Sequence, residues 1–227
     1  TVIIGENAGR SINSGDANGT VAIGNGAGYA ITSGQGNVAI GYLALDAEDD
    51  GDFNTAIGHQ ALSAQTGNTG TVGNTAVGYR AGQDVTTGKF NTFLGGSAGL
   101  EITTGLNNTY LGYGAGANST GSRYNVAIGQ GAYSSGGGHG DQNIAIGDSA
   151  LQVFTCTHTG GYSGGRVTGN VAIGSYGSYY VGVGNNNSYG NTTVGHEAGY
   201  HATGSQNTFM GFRSGRGGQA TAPYCSG

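Results

Sequence analysis

One five-residue phrase recurs along this 227-residue chain and constrains its fold more than any other feature. The phrase is Asn, a β-branched residue, a third residue that is often Ala, an aliphatic residue, then Gly. It reads Asn37-Val38-Ala39-Ile40-Gly41, Asn54-Thr55-Ala56-Ile57-Gly58, Asn91-Thr92-Phe93-Leu94-Gly95 and Asn125-Val126-Ala127-Ile128-Gly129, and it ends with Asn207-Thr208-Phe209-Met210-Gly211. Twelve copies are present, the first two with Thr1 and Thr20 in place of Asn. Their closing glycines lie 19, 17, 17, 20, 17, 17, 17, 18, 27, 21 and 16 residues apart, so the unit is 17 residues with insertions. An alanine stands three residues after ten of these glycines, from Ala8 to Ala198, with Gly177 and Ser214 as the exceptions.

The second position is Val, Thr or Ile in every copy, and the fourth is Ile, Val, Leu or Met. Positions two apart share one face of a strand, and β-branched residues suit a pleated surface. The unit is too short for a βαβ element and has no helical period. It can bury an apolar face only against its own neighbours. These constraints predict an all-β fold, a parallel β-solenoid (β-roll) of about twelve turns with a ~17-residue repeat. Residues 1–150 read as regular turns, and residues 151–227 as irregular turns with insertions and a tail. The Asn residues are expected to hold corners, with stacked Asn hydrogen-bonding from turn to turn as the further possibility. The second and fourth positions are assigned to the core, so Ile40, Ile57, Ile128 and Ile173 should be almost fully buried. The third position, an alanine stripe broken by Phe93, Tyr110 and Phe209, should face a neighbouring chain or the opposite wall of the coil.

Composition removes several classes of function. Glycine supplies 51 residues, about three times the usual ~7% share, but Pro223 is the single proline, which excludes a collagen helix. The net charge is −5 with no basic stripe to neutralise phosphates, so no nucleic-acid partner is expected. No apolar run approaches the length needed to cross a bilayer, and no membrane insertion is expected. The chain opens directly on a repeat strand and reads as a mature form or a piece of something longer.

Asn-Val-Ala-Ile-Gly followed by Ala or Ser three residues on resembles the head repeat of trimeric autotransporter adhesins and similar repeats of phage tail fibres. The resemblance covers nearly the whole chain. It implies a left-handed parallel β-roll and side-by-side association of three chains. The unit here is longer than the family's, and neither a heptad stalk nor a membrane anchor is visible.

Motifs that imitate catalytic chemistry read as repeat punctuation. His196-Glu197-Ala198-Gly199-Tyr200-His201 spaces its histidines by five, not the four that a zinc-protease helix requires. Gly88-Lys89 is followed by Phe90 where a phosphate loop needs Ser or Thr. No paired catalytic carboxylates or nucleophile–base pair stand out, and no cofactor is expected. The acidic run Asp46 to Asp52 has oxygens at alternate positions, and Asp46, Glu48 and Asp50 are the weak calcium candidates. Ile57 stands where a calcium loop places its bidentate Glu.

The repeat breaks between Gly147 and Gly174, and insertions in solenoids become loops on one side. Tyr162, Tyr179 and Tyr180 are the candidate ligand or partner surface, either as a contact for a surface glycan or receptor or as a cap on the last turns. Cys156 and Cys225 are the candidate disulfide, which would tie the tail beside the insertion. The leading expectation is a non-enzymatic extracellular fibre module, of phage tail-fibre or surface-adhesin type, whose partner is itself as a homotrimer. The alternatives are an end-to-end filament subunit and an ice-binding solenoid. The ice reading is disfavoured here because the Thr-bearing second position is assigned to the core.

Overall fold

A computed structural model describes residues 1–12, 17–66, 70–134, 140–152, 167–180, 188–201 and 204–217. Cys156, Cys225 and Tyr162 lie outside them. Two compact units divide the chain, Thr1–Asn108 and Thr109–Gly227. The described residues form strands and turns only, with no helix. In the first unit, Val2–Ile4, Val21–Ile23, Val38–Ile40, Thr55–Ile57, Thr75–Val77 and Thr92–Leu94 stack as parallel neighbours in one sheet. Register runs position to position, with Val38 on Thr55, Ala39 on Ala56 and Ile40 on Ile57. The second unit repeats the arrangement with Thr109–Leu111, Val126–Ile128, Ile144–Ile146, Val171–Ile173, Thr192–Val194 and Thr208–Met210. The region after residue 151 therefore keeps the main-sheet strands. Short second sheets pair Gly51–Asp52 with Gly70–Thr71, and Gly140–Asp141 with Val167–Thr168 and Ser188–Tyr189. Each unit is a parallel β-solenoid.

The sheet faces the opposite way from the sequence-based assignment. The third position is the lumen: Ala22, Ala39, Ala56, Ala76, Ala127, Ala145 and Ala172 are 0% exposed, as are Phe93 and Tyr110. Ile40, Ile57 and Ile128 are half-buried, and Ile173 is 37% exposed. The alanine stripe faces the opposite wall of its own coil, where Ala27, Ala44, Ala61, Ala81 and their counterparts are equally buried. Volume explains the inversion. The two walls approach so closely that the inner strand position accepts alanine, and β-branched residues on both sides would overfill the lumen.

The bulk that fills the lumen changes place from turn to turn. Where the third position is Ala39, Ala56, Ala127 or Ala145, the ninth is Leu45, Leu62, Tyr133 or Leu151, all 0% exposed. Where the third is Phe93, Tyr110 or Phe209, the ninth is Gly99, Gly116 or Gly215. A methyl group on Gly99 would stand 2.4 Å from Phe93 Cε1, and one on Gly116 would stand 2.1 Å from Tyr110 Cε2. In the turn with Ala22 and Gly28, Ile31 at the twelfth position fills the space.

The corners are held by main chain and asparagine. The glycine that closes each phrase has φ from +109° to +139°. A Cβ on Gly58 would also lie 2.3 Å from the Gly78 carbonyl oxygen of the next turn. Positive φ and close approach both exclude other residues here. Asparagine at the first position holds its corner and links turns as well. Asn143 N–H donates to Asn125 Oδ1 at 2.9 Å, Asn170 N–H to Asn143 Oδ1 at 3.0 Å, and Asn191 N–H to Asn170 Oδ1 at 3.0 Å. The same side chains donate from Nδ2 across the lumen, as Asn143 does to the Val167 carbonyl at 2.9 Å. Such bonds satisfy polar groups that the narrow coil would otherwise bury unpaired.

Candidate ligand surface

The acidic run folds as a turn. Glu48 is wholly buried at the twelfth position, and its Oε1 accepts the N–H groups of Asp49 at 3.0 Å and Gly51 at 2.8 Å. One turn later Gln65 occupies the equivalent place, accepting from Asn74 Nδ2 at 2.8 Å and donating to the Thr86 carbonyl at 2.8 Å. Among the described residues no three His, Cys, Asp or Glu side chains converge as a metal cage, Asp46, Glu48 and Asp50 included. Burial pushes the Glu48 carboxyl up from its ordinary range, against the pull of the Gly51 and Asp49 N–H groups. A raised folded-state value means the folded chain holds this proton more tightly than the unfolded chain. The associated stabilisation is complete below the unfolded value and is lost as pH rises through the folded one. Glu48→Gln, which copies Gln65, is therefore expected to raise the denaturation midpoint at about pH 7, with a smaller gain near pH 4. Equal gains at both values would contradict a buried titrating carboxyl.

Aromatic side chains form ladders on the outer surface. In the first unit Tyr42, His59 and Tyr79 occupy the sixth position of successive turns, with centroids 5.0 and 5.4 Å apart. A larger cluster lies in the second unit. Tyr179 and Tyr200 stack at the tenth position, 5.2 Å apart with rings 6° from parallel. Tyr180 and His201 stack beside them at the eleventh, 4.7 Å apart and 7° from parallel. Each column meets the other edge to face: Tyr179 with Tyr180 at 4.7 Å, and Tyr200 with His201 at 4.8 Å. Main-chain bonds between turns hold the columns in register, Tyr180 N–H to the Tyr200 carbonyl at 2.8 Å and His201 N–H to the Arg216 carbonyl at 3.1 Å. Tyr176 packs against Tyr179 at 5.4 Å, and His196 stacks on Phe212 at 5.6 Å.

Charge enters the cluster on the last described turn. Arg216 lies over the Tyr200 ring at 5.7 Å, and Arg213 over Phe212 at 4.9 Å. Glu197 Oε2 accepts a hydrogen bond from Arg213 Nε at 2.8 Å and forms an ion pair with Arg216 Nε at 2.9 Å. Burial, with the neighbouring phenols, holds Tyr179 and Tyr200 above the usual tyrosine range. Burial first and Arg216 second hold His201 below the usual histidine range. At neutral pH these rings are uncharged, and the guanidinium pair carries the positive charge.

The structure thus places Tyr179 and Tyr180 of the expected surface together, half-buried on adjacent columns. Sequence reasoning met His196, Tyr200 and His201 only as an imitation zinc motif and passed over Phe212, Arg213 and Arg216. Their signal lay in aligning each turn against the next by position, which brings Tyr179 over Tyr200 and Arg216, and Tyr180 over His201. The motif-like spacing of His196 and His201 is a by-product of those columns.

The fold and these surfaces define a parallel β-solenoid with ladders of like residues. No family model matches the chain, and neither a curated protein nor a solved structure matches it.

Proposed function

We propose that the chain is a non-enzymatic structural module of an extracellular fibre, associating with copies of itself as a trimer and using its aromatic cluster as a contact surface. The outward face of the main sheet carries this reading. Its second and fourth positions form parallel ladders of Val, Ile, Thr and Leu that the single chain leaves half-buried to exposed, including Leu94 at 46%, Leu111 at 40% and Ile144 at 37%. Six strands at ~4.8 Å spacing make such a strip roughly 24 Å long in each unit. A continuous apolar strip of that regularity is a surface awaiting a partner. A second copy offers the same ladders at the same spacing. The resemblance of the repeat to adhesin and tail-fibre heads supports three chains and an extracellular site.

The same face favours one other reading. Thr55, Thr75 and Thr92, set among Val and Ile, stand on the outside of the sheet, which removes the objection to ice binding. The end-to-end filament draws on the in-register parallel stacking itself, which the strands of one copy could continue onto another. Mass in solution separates the three. Light scattering is expected to give three times the 22.4 kDa chain. Open-ended polymers would favour the filament. A monomer that arrests ice growth would favour the ice-binding sheet.

A further inference from the structure

We propose that the cluster built by Tyr179, Tyr180, Tyr200, His201, Arg213 and Arg216 binds a carboxylate-bearing sugar of an acidic polysaccharide, the uronic-acid class. This names the ligand chemistry of the contact surface proposed above and rests on that reading.

The argument begins with the arginines. Glu197 Oε2 takes the Nε group of each, and its carboxylate is only 15% exposed while both guanidinium side chains are 49% exposed. That arrangement tethers both guanidiniums to one largely buried carboxylate while about half of each arginine side chain stays open to solvent. Among the described residues neither arginine pairs with a second carboxylate. Two positive charges against one carboxylate leave a net positive spot on a chain whose formal net charge is −5. Only seven Lys and Arg residues are present in the whole sequence, and two of them converge here. Guanidinium nitrogens in a plane match a planar carboxylate in a bidentate pair.

The rings supply the second half of the site. The column of Tyr180 and His201 continues to Gly217, whose α-carbon lies beside His201, with His201 Cβ 3.3 Å from where a Gly217 side chain would begin. No third ring stacks on His201 among the described residues, although Arg216 completes the neighbouring column over Tyr200. Among the described residues one column therefore ends in a cation and the other in a ring that carries no further ring. A pyranose laid on that ring, by stacking of its apolar C–H face, places a ring carboxylate toward the adjacent guanidiniums. Aromatic rings with few rotatable bonds also lose little entropy on binding.

The test uses the intact 227-residue chain and three probes: an oligogalacturonate, the same oligomer methyl-esterified, and chondroitin sulfate. Calorimetric titration is expected to show oligogalacturonate binding, with the ester weakened about tenfold or more through loss of the charge-assisted pair. Arg213→Gln with Arg216→Gln should weaken oligogalacturonate to the level of the ester and leave ester binding unchanged. His201→Ala should weaken both probes, because it removes the platform rather than the charge. Unchanged circular dichroism in each variant shows that the turn still folds. Equal affinity for acid and ester, indifference to the arginine substitutions, or binding of the sulfated polymer alone overturns the carboxylate assignment while leaving a contact surface in place. No binding of any probe, together with unchanged binding to a natural host or cell surface on ring substitution, overturns the contact reading itself.

Discussion

Phe93→Ala is expected to cost about 3–5 kcal/mol, and Gly99→Leu a comparable amount, yet the double substitution should recover most of the loss. Phe93 is wholly buried in the lumen and makes a large cavity when truncated. Gly99 lies directly beneath it, and a methyl there would already stand 2.4 Å from Cε1 and 2.5 Å from Cδ1. Each single change therefore fails for an opposite reason, one by emptying the turn and the other by overfilling it. The double variant places Ala at the third position and Leu at the ninth. That is the pairing this chain already uses in Ala39 with Leu45, Ala56 with Leu62 and Ala145 with Leu151. The left-handed backbone is no obstacle, because Leu45 and Leu62 adopt φ of 52° and 50° against 61° at Gly99. Urea denaturation of the four proteins in this cycle measures the coupling. Additive losses in the double variant would mean that the two positions do not share one volume.

Two substitutions one residue apart, Ala56→Asp and Ile57→Asp, are expected to fail in different ways. Ala56 points into the lumen with no exposure, and a carboxylate there is buried without a partner. A loss of about 4 kcal/mol or more is expected, enough to unfold a marginally stable domain. Ile57 points outward and is half-buried in the single chain. Aspartate there costs the isolated fold far less, on the order of 1 kcal/mol. In a trimer it brings like charges onto an apolar interface, where desolvation and repulsion act together. The Ile57→Asp protein should keep its β-sheet spectrum and run as a 22.4 kDa single chain. Retention of the trimer would remove the outer ladders from the interface. Unfolding of both variants alike would contradict the assignment of inner and outer faces.

The repeat was legible from the chain alone because its determinants are local. Gly at the fifth position is needed for positive φ and for contact with the next turn, and Asn at the first for a corner and a ladder. Both leave a residue type at a fixed place in the phrase, which is why parallel in-register stacking follows from counting. Which face of the strand lies inside was not legible by the rule that apolar residues mark the core. Val38 and Ile40 are more hydrophobic than Ala39, yet Ala39 is the buried one. The width of the lumen decides this, and width depends on how closely the second wall approaches. That wall is built from left-handed residues such as Leu43 and Leu45, at φ of 49° and 52°. Its trace in the sequence is subtle: no Val, Ile or Thr occurs at the seventh or ninth position of any copy, where β-branched side chains would be strained.

The ligand surface depends still more on tertiary structure. Tyr179 and Tyr180 could be named from their aromatic character near a break in the repeat. His201, Tyr200 and Arg216 join them only because the turn positions stay aligned although the turns differ in length, so that residues 15 to 21 apart in sequence become neighbours about 5 Å apart in space. Sequence by itself determined the solenoid, its period and its corner residues, because each is imposed within one turn. Tertiary structure alone decided what faces in, what faces out and which rings and charges meet, because those depend on the distance between walls and on the registry between turns.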